Sequence, residues 1–469
     1  MNRSSYFVKL SSALLVLFVA ALATSARAVD IDWAKVEGEA TNFLSDYVKV
    51  DTTNPPGNEI AAARFLADRF ASSGIAAEVF ESEPGRGSVI ARVAGTGGAR
   101  PLILLNHLDV VPANPTEWES PPFSGTVRNG AVYGRGTLDC KGVGTVDAMV
   151  LMLLKREEIA LKRDVIFLGT ADEETGGKLG AGWMVDHHLD KLGDAEFLLN
   201  EGGHIHTGTN GKKAYEVAVS EKTPCWLRLT ATGKPGHGSA PPRVTSVTAL
   251  VRALERLAAY KAPILVTPEV QSYYAALAPM QSDDQRNHFA DLRGALKNDV
   301  FRQHFLGDAH NAAMVQNTLT PTVLTAGQKT NVIPKTATAE LDCRLLPGQN
   351  PADFLKKVTE VIDDPSIQIE TLLNFPPSAS PTDTALYRTL QRMAERDRSA
   401  VVPSVLTGFT DSHYFRDKGI VSYGFLPFTL NDEDTLGEHG LNEHLATEQL
   451  REGTRRLIDL LQMLDREGS

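Results

Sequence analysis

The sequence predicts an α/β fold: a mixed, largely parallel sheet with helices on both faces, interrupted by an inserted α+β unit of ferredoxin-like topology. Three observations predict it. Short apolar runs at 102–105, 165–168 and 197–199 are bounded by turn residues and separated by helix-periodic segments, as strands buried in a parallel sheet are. Each run leads into residues with metal-ligating side chains: His107, then Glu173 and Glu174, then Glu201. Ligands bind beyond the carboxyl ends of strands in such sheets, so these residues converge on one edge. The third observation is a change of texture near Val219, beyond which the order of elements becomes β-α-β-β-α-β.

The first segment, 1–28, reads as a signal peptide. Asn2, Arg3 and Lys9 precede an uncharged apolar run at 13–23, which closes on Ala26-Arg-Ala28. A positive start, a short apolar stretch and a small-x-small site describe secretory export, to the periplasm or outside the cell, with cleavage after Ala28. The run is well short of the roughly 20 residues a spanning helix needs. Cleavage removes Arg3, Lys9 and Arg27 and takes the formal charge from −11 to −14. Such an acidic chain does not suit nucleic acid or an anionic membrane surface. Cys140, Cys225 and Cys343 are too few and too scattered for a disulfide framework. Cys225 and Cys343 either pair or pack as free thiols, and packing is the simpler reading.

The 469 residues, 42% of them apolar, suffice for one large domain with an insertion. Its first part, 29–219, opens with helical periodicity over 33–73, broken by the loop Asp51-Thr-Thr-Asn-Pro-Pro-Gly57. Strands follow at 78–93 and 100–111. Asp109, two residues beyond His107, is either a turn cap or a carboxylate that accepts the other N–H of a ligand histidine. The stretch Tyr133-Gly-Arg-Gly-Thr-Leu-Asp-Cys-Lys-Gly142 places Asp139 just before a helix at 142–155, whose Val143, Val146, Met149, Val150 and Leu153 recur at core spacing. Glu173 and Glu174 are adjacent, so a turn can send them to different tasks. His187, His188, His204 and His206 read as loop or surface histidines, with His204 near the pocket. One histidine and several carboxylates at one sheet edge suit a divalent cation, and zinc takes this mixture of N and O donors. A shared carboxylate plus a spare one to accept a proton is what two-metal hydrolysis requires.

The inserted unit, 220–373, reads as a strand over 221–232, the turn Gly233-Lys-Pro-Gly-His-Gly-Ser239 and a helix over 244–260. A helical excursion reaches to about Met314, followed by strands near 322–326 and 337–346, a helix over 351–362 and a strand over 367–372. The first domain resumes over 374–469, with a helix near 384–396, the turn Gly408-Phe-Thr-Asp-Ser412 and a final helix over 445–464. Between the last two lies Glu438-His-Gly-Leu-Asn-Glu-His444, where two histidines compete as ligands.

These words together resemble the M20 metallopeptidases, a family of aminoacylases, carboxypeptidases of the glutamate and S types, and succinyl-diaminopimelate desuccinylase. The resemblance rests on His107-x-Asp109, Gly-Arg-Gly-Thr-x-Asp139-x-Lys-Gly, Asp-Glu-Glu174, Gly233-x-x-Gly-His237-Gly-Ser, Asn331-x-Ile-Pro and His439-x-x-Asn-Glu, in that order. Asn106-His-Leu-Asp-Val-Val111, the stretch 118–125 and Asn200-Glu-Gly-Gly203 make it closest to the carboxypeptidase S and N-acyl-amino-acid hydrolase branch. It implies that the insertion is a lid/dimerisation domain and that two Zn2+ ions are bound, with Co2+ or Mn2+ able to substitute. One is expected on His107, Asp139 and Glu201, the other on Asp139, Glu174 and His439. It further implies Glu173 as general base, Asp109 behind His107, and a cis peptide between Asp139 and Cys140. His237 is expected to polarise the substrate carbonyl after lid closure, reaching the neighbouring subunit's site in dimeric relatives. Arg344, with Asn331 and Gly408, is expected to meet the substrate, Arg344 as anchor for its carboxylate. The implied reaction is hydrolysis of a small peptide or N-acyl amino acid by a chain able to form a homodimer through the lid. Two rivals are an M28-like zinc aminopeptidase and an inactive metal- or peptide-binding relative. The first lacks the inserted lid and the glycine-rich Asp139 word; retention of Glu173 argues against the second.

Overall fold

Leu102–His107 shows why the sequence builds a two-sided sheet: all six of its residues are buried. Ile103 and Leu105 face a core with Met184, Val185 and Phe415, while Leu102 and Leu104 face the opposite layer. The computed structural model describes residues 30–207 and 211–467. The signal peptide expected at 1–28 lies outside the described residues. From edge to edge, the large sheet runs Ala77–Glu83, Arg86–Val93, Val165–Thr170, Leu102–His107, Phe197–Asn200, Val421–Gly424, Lys213–Glu221, Ile205–Thr207 and Thr429–Leu430. Ala400–Leu406 pairs parallel with Lys213–Glu221. The central neighbours around Leu102–His107 are parallel, and antiparallel strands flank them. Helices Trp33–Val48, Lys141–Arg156 and Thr447–Glu467 pack together in one outer layer. The short helices Trp183–His188 and Ser412–Arg416 lie against the other face.

A second sheet carries the order Thr318–Ala326, Thr336–Leu345, Thr223–Thr232, Ile367–Asn374, all antiparallel. With helices Ser246–Ala259 and Pro351–Ile362 it forms the ferredoxin-like lid. Strand alternation fixes its two faces. Ala337, Ala339, Leu341, Cys343 and Leu345 point at Leu250, Leu257, Phe354 and Val358 of the helices. The intervening residues, Asp342 and Arg344 among them, therefore point away from the helices. All three cysteines are free and buried.

The helical excursion within the expected boundaries of the lid has a different partner. Val270, Tyr273, Tyr274, Leu292, Phe305, Met314 and Val315 form a core with Ala214, Val402 and Val405 of the large sheet. These helices thus sit on the large sheet rather than on the lid's own. Five strands of that large sheet, Ile205–Thr207, Lys213–Glu221, Ala400–Leu406, Val421–Gly424 and Thr429–Leu430, are absent from the sequence expectations.

Candidate active site

Five stretches bring their donors to one point. His107 ends its strand, Asp139 precedes the helix Lys141–Arg156, and Glu174 lies in the turn after Val165–Thr170. Glu201 follows Phe197–Asn200, and His439 comes from the loop before His444–Ala446. Asp139 is the centre. Its Oδ1 lies 2.7 Å from His107 Nε2 and its Oδ2 lies 2.9 Å from His439 Nε2. Glu201 Oε2 approaches the same His107 nitrogen at 3.5 Å, and Glu174 Oε2 approaches the same His439 nitrogen at 3.3 Å. The five residues therefore fall into two groups, each with one imidazole and one terminal carboxylate, joined by one carboxylate with an oxygen in each. His444 is elsewhere, stacked on Tyr133 at 4.7 Å.

The electrostatics of the cluster fit a cation site. Burial opposes ionisation of Asp139, yet its hydrogen bonds to His107 and His439 hold it well below the usual carboxylate range. Burial pushes Glu201 up to about 7. Asp139 and Glu174 draw His439 up to about 10. Glu173 is pushed up by burial and by Glu201, and it makes no contact with either imidazole. Four carboxylates around two imidazoles demand positive charge. Glu174 Oε1 is buried without a hydrogen-bond partner, and two triads, His107 with Asp139 and Glu174 and His107 with Cys140 and Glu201, have ligand atoms within 4.8 Å of one another. The N and O donor set and the orphaned oxygen fit divalent cations such as zinc.

The surrounding contacts hold the donors in place. Glu443, fully buried, accepts the backbone N–H groups of Gly136, Leu138 and Asp139 and the guanidinium of Arg135. It fixes the loop that carries Asp139, whose peptide bond to Cys140 is cis. Asp109 lies directly behind His107. His107 Nδ1 is closest to the Asp109 main-chain oxygen, at 3.0 Å, with the carboxylate at 3.5 Å. That carboxylate mainly accepts the N–H groups of Glu173 and Glu174 and the Asn54 amide at 2.8 Å. Asn54 in turn accepts from Arg86, which also meets Glu59 and Asp172. Gly177 (φ +69°) lets the turn after Glu174 pass over Asp411, since a Cβ there would lie 2.1 Å from Asp411 Oδ1.

These donors open into a cavity of about 570 Å³. Its apolar wall comes from Leu138, Leu406, Leu426, Leu430, Trp226 and Phe409; Arg344, Gly408, His204 and His310 also line it. Arg344 reaches it because of the strand alternation described above. Asp342 takes the Nε and Nη2 side of its guanidinium at 3.0 to 3.2 Å, and Trp226 also donates to Asp342. Gly408 leaves the other side uncovered, with Nη1 3.5 Å from where a Cβ would sit. Asn331 and His237 are not in this cavity. Both are exposed, on a short ladder where Gly236–His237 pairs with Val332–Ile333. His237 Nδ1 meets Ser239 Oγ at 2.7 Å.

Several of these residues escape sequence reasoning. Glu443 closes the His439-x-x-Asn-Glu word and could have been singled out there, as could Asn54 in the Pro-Pro-Gly loop. The leucines of the wall and His310 carry no signal that separates them from core or surface.

The chain is similar to known proteins in sequence and in fold. The model of a family described as peptidase family M20/M25/M40 matches residues 103–463. The N-fatty-acyl-amino acid synthase/hydrolase PM20D1 of Xenopus tropicalis is 35% identical over 379 residues, covering 78% of this chain and 73% of that protein. Mouse aminoacylase-1 is 26% identical, covering 91% of this chain and 96% of that one. Among solved structures, an M20 family metallo-carboxypeptidase from Sulfolobus solfataricus superposes with a TM-score of 0.72 at 19% identity, covering 91% of this chain and 99% of that one.

Proposed function

The chain belongs to peptidase family M20/M25/M40, and from that premise we propose that it is a binuclear zinc hydrolase releasing the C-terminal amino acid from N-acyl amino acids and short peptides. One observation carries the reading: Asp139 gives one carboxylate oxygen to each of two donor groups, while Glu173 lies beside them uncommitted. His107, Asp139 and Glu201 would hold one cation, and Asp139, Glu174 and His439 the other. Bound there, the cations supply Lewis acidity at the scissile carbonyl and lower the pKa of water.

The chain's own residues do the rest. Glu173 accepts the proton of the attacking water and returns it to the departing amine nitrogen. Its backbone is held by Asp109, so the carboxylate stays aimed at the cavity. Arg344 offers its open side to the carboxylate of the departing amino acid, and Asp342 keeps the guanidinium plane fixed. The apolar wall receives the acyl group. A hydrocarbon chain suits that wall, and the relative named for N-fatty-acyl-amino acids supports the same class.

His237 belongs, on this reading, to a homodimer through the lid. Its exposure supports that, as do the exposed Val323, Leu324 and Val332 along the lid's edge strand and the ladder beside it. Export follows from the pattern at 1–28; no helix among the described residues is long and apolar enough to cross a membrane.

The deciding experiment strips the protein with a chelator, restores zinc, and measures bound metal alongside hydrolysis. N-acyl amino acids of increasing chain length are compared with dipeptides, each with a free or an amidated C-terminus. Two zinc ions per chain and cleavage restricted to free carboxylates are expected. Equal cleavage of amidated substrates would make the protein a general amidase.

A further inference from the structure

His310 is a cavity imidazole with no assigned task. His439 is engaged by Asp139 and Glu174, and His204 lies in the loop that carries Glu201. His310 comes from the helix Ala309–Val315, part of the helical segment packed on the large sheet. That helix is firmly placed. Met314 and Val315 are buried with Val402 and Val405. Lys222 Nζ donates to the carbonyls of Ala313 and Gln316 at 3.0 and 2.9 Å. Tyr274 donates to Asn311 Oδ1 at 2.5 Å, and Asp308 caps the first turn through the N–H of Asn311. The ring of His310 is exposed to the cavity and makes no hydrogen bond among the described residues. Desolvation by protein on its other sides, opposed by Asp308, lowers its pKa, so at neutral pH the ring is uncharged and offers one N–H donor and one acceptor nitrogen.

We propose that His310 determines substrate specificity by forming, with Arg344, a two-sided clamp on the carboxylate of the amino acid that is released. The inference rests on the function proposed above and adds the residue that completes carboxylate recognition. A carboxylate offers about four lone-pair sites. The open side of Arg344 satisfies two of them, because Asp342 already occupies the other side. Lone pairs left bare in a cavity are costly, so a second donor is required. Arg344 rides on the lid sheet and His310 on the layer over the large sheet. A carboxylate held by both links the two layers; an amide turns an NH2 group with two N–H donors toward a guanidinium that has no acceptor, and leaves Arg344 and His310 to share its one oxygen.

The test uses the full zinc-loaded chain and N-acyl amino acids with free or amidated carboxyl groups. The readout is the ratio of kcat/KM for the free acid to that for the amide. His310→Ala should lower that ratio about 10- to 100-fold, the range for a hydrogen bond to a charged group, mainly through KM for the free acid. His310→Gln, which keeps a donor, should recover part of it. His310→Ala combined with Arg344→Ala should lose less than the product of the two single losses. A ratio unchanged in His310→Ala while the wild type still prefers free acids overturns the clamp alone. A wild type that cleaves neither substrate overturns the proposed function and the clamp with it. Melting curves confirm that each variant is folded, as the exposed ring leads us to expect.

Discussion

Glu443 Oε1 accepts the backbone N–H of Asp139 at 3.2 Å, so a carboxylate that never reaches the cavity sets the position of the one at its centre. The same group forms a buried ion pair with Arg135 at 2.7 Å. Glu443→Ala should therefore destabilise the metal-free protein by about 3 to 5 kcal/mol, since an unpaired guanidinium is left inside. It should also weaken zinc binding about 10- to 100-fold. Urea unfolding after chelation and competitive zinc titration read the two effects separately. Unchanged zinc affinity would reduce Glu443 to a packing role.

Glu173 and Glu174 are neighbours with different surroundings: Glu174 meets His439 at 3.3 Å and Glu173 meets neither imidazole. Glu173→Gln should keep the wild-type metal content and lose at least about 100-fold in kcat, the contribution typical of a general base. Glu174→Gln should lose metal. Elemental analysis beside a hydrolysis assay distinguishes them, and the opposite pattern would exchange the two roles.

Arg344 is poised by Asp342 rather than free. Arg344→Ala should cost at least about tenfold in kcat/KM on free-acid substrates, given the 2 to 5 kcal/mol typical of a broken, desolvated charge pair. Arg344→Lys should recover only part of this, because a point charge lacks the planar fork. Asp342→Ala should mimic a milder form of the defect by releasing the guanidinium plane. Steady-state kinetics on one N-acyl amino acid suffices to order the three variants.

Exposed in its own chain, His237 provides a test of quaternary action. If it serves the neighbouring subunit, mixing His237→Ala with Glu173→Ala chains restores up to about a quarter of wild-type activity, from those sites that combine an intact Glu173 with an intact His237 of the other chain. A fully active monomer, established by sedimentation at assay concentration, rules the arrangement out.

His413 is buried, stacked on Phe375 at 3.5 Å, and its Nδ1 donates to the Thr410 carbonyl. Burial, reinforced by Arg416 and opposed by the Thr410 contact, pushes its pKa down to about 4. Above about pH 6.5 the imidazole is neutral in both folded and unfolded chains, and its contribution to stability is fully present. As pH falls from 6.5 toward 4, the unfolded chain takes up a proton that the native one refuses. Stability is lost, by up to about 3 kcal/mol. His413→Phe keeps the stack and removes the titration, so the stability difference between wild type and variant should shift by about 2 to 3 kcal/mol between pH 7 and pH 4.5. Urea midpoints across that range measure it; a constant difference would place the acid sensitivity elsewhere.

How much of this was legible in the sequence depends on whether the deciding physics is local. Periodicity exposes Lys141–Arg156 and Pro351–Ile362 because an amphipathic stripe is written along one stretch of chain. The glycine-rich words around Asp139 and His237 are legible for the same reason. Ala400–Leu406 is hidden because Pro403 argues against a strand, and only its parallel partner Lys213–Glu221 makes it one. The helices from Pro268 to Val315 announce an apolar face without saying which sheet it covers. Leu406, Leu426 and Leu430 become a cavity wall only through the folded backbone, since a leucine beside a cavity and a leucine in a core look alike in one dimension.

The order of strands in the large sheet also sets a timetable for a chain made from its N-terminus. Val421–Gly424 fits between Phe197–Asn200 and Lys213–Glu221, and Thr447–Glu467 closes over Trp33–Val48 and Lys141–Arg156. Until those late segments emerge, the nascent chain holds an open sheet edge and an uncovered helical layer, the condition in which growing chains recruit chaperones or stick to one another. His439 arrives in the same late stretch, so a ribosome-bound fragment ending before it owns only four of the five donors. On the proposed two-cation reading, full metal affinity, and the stability that binding adds, would come only after synthesis is nearly finished.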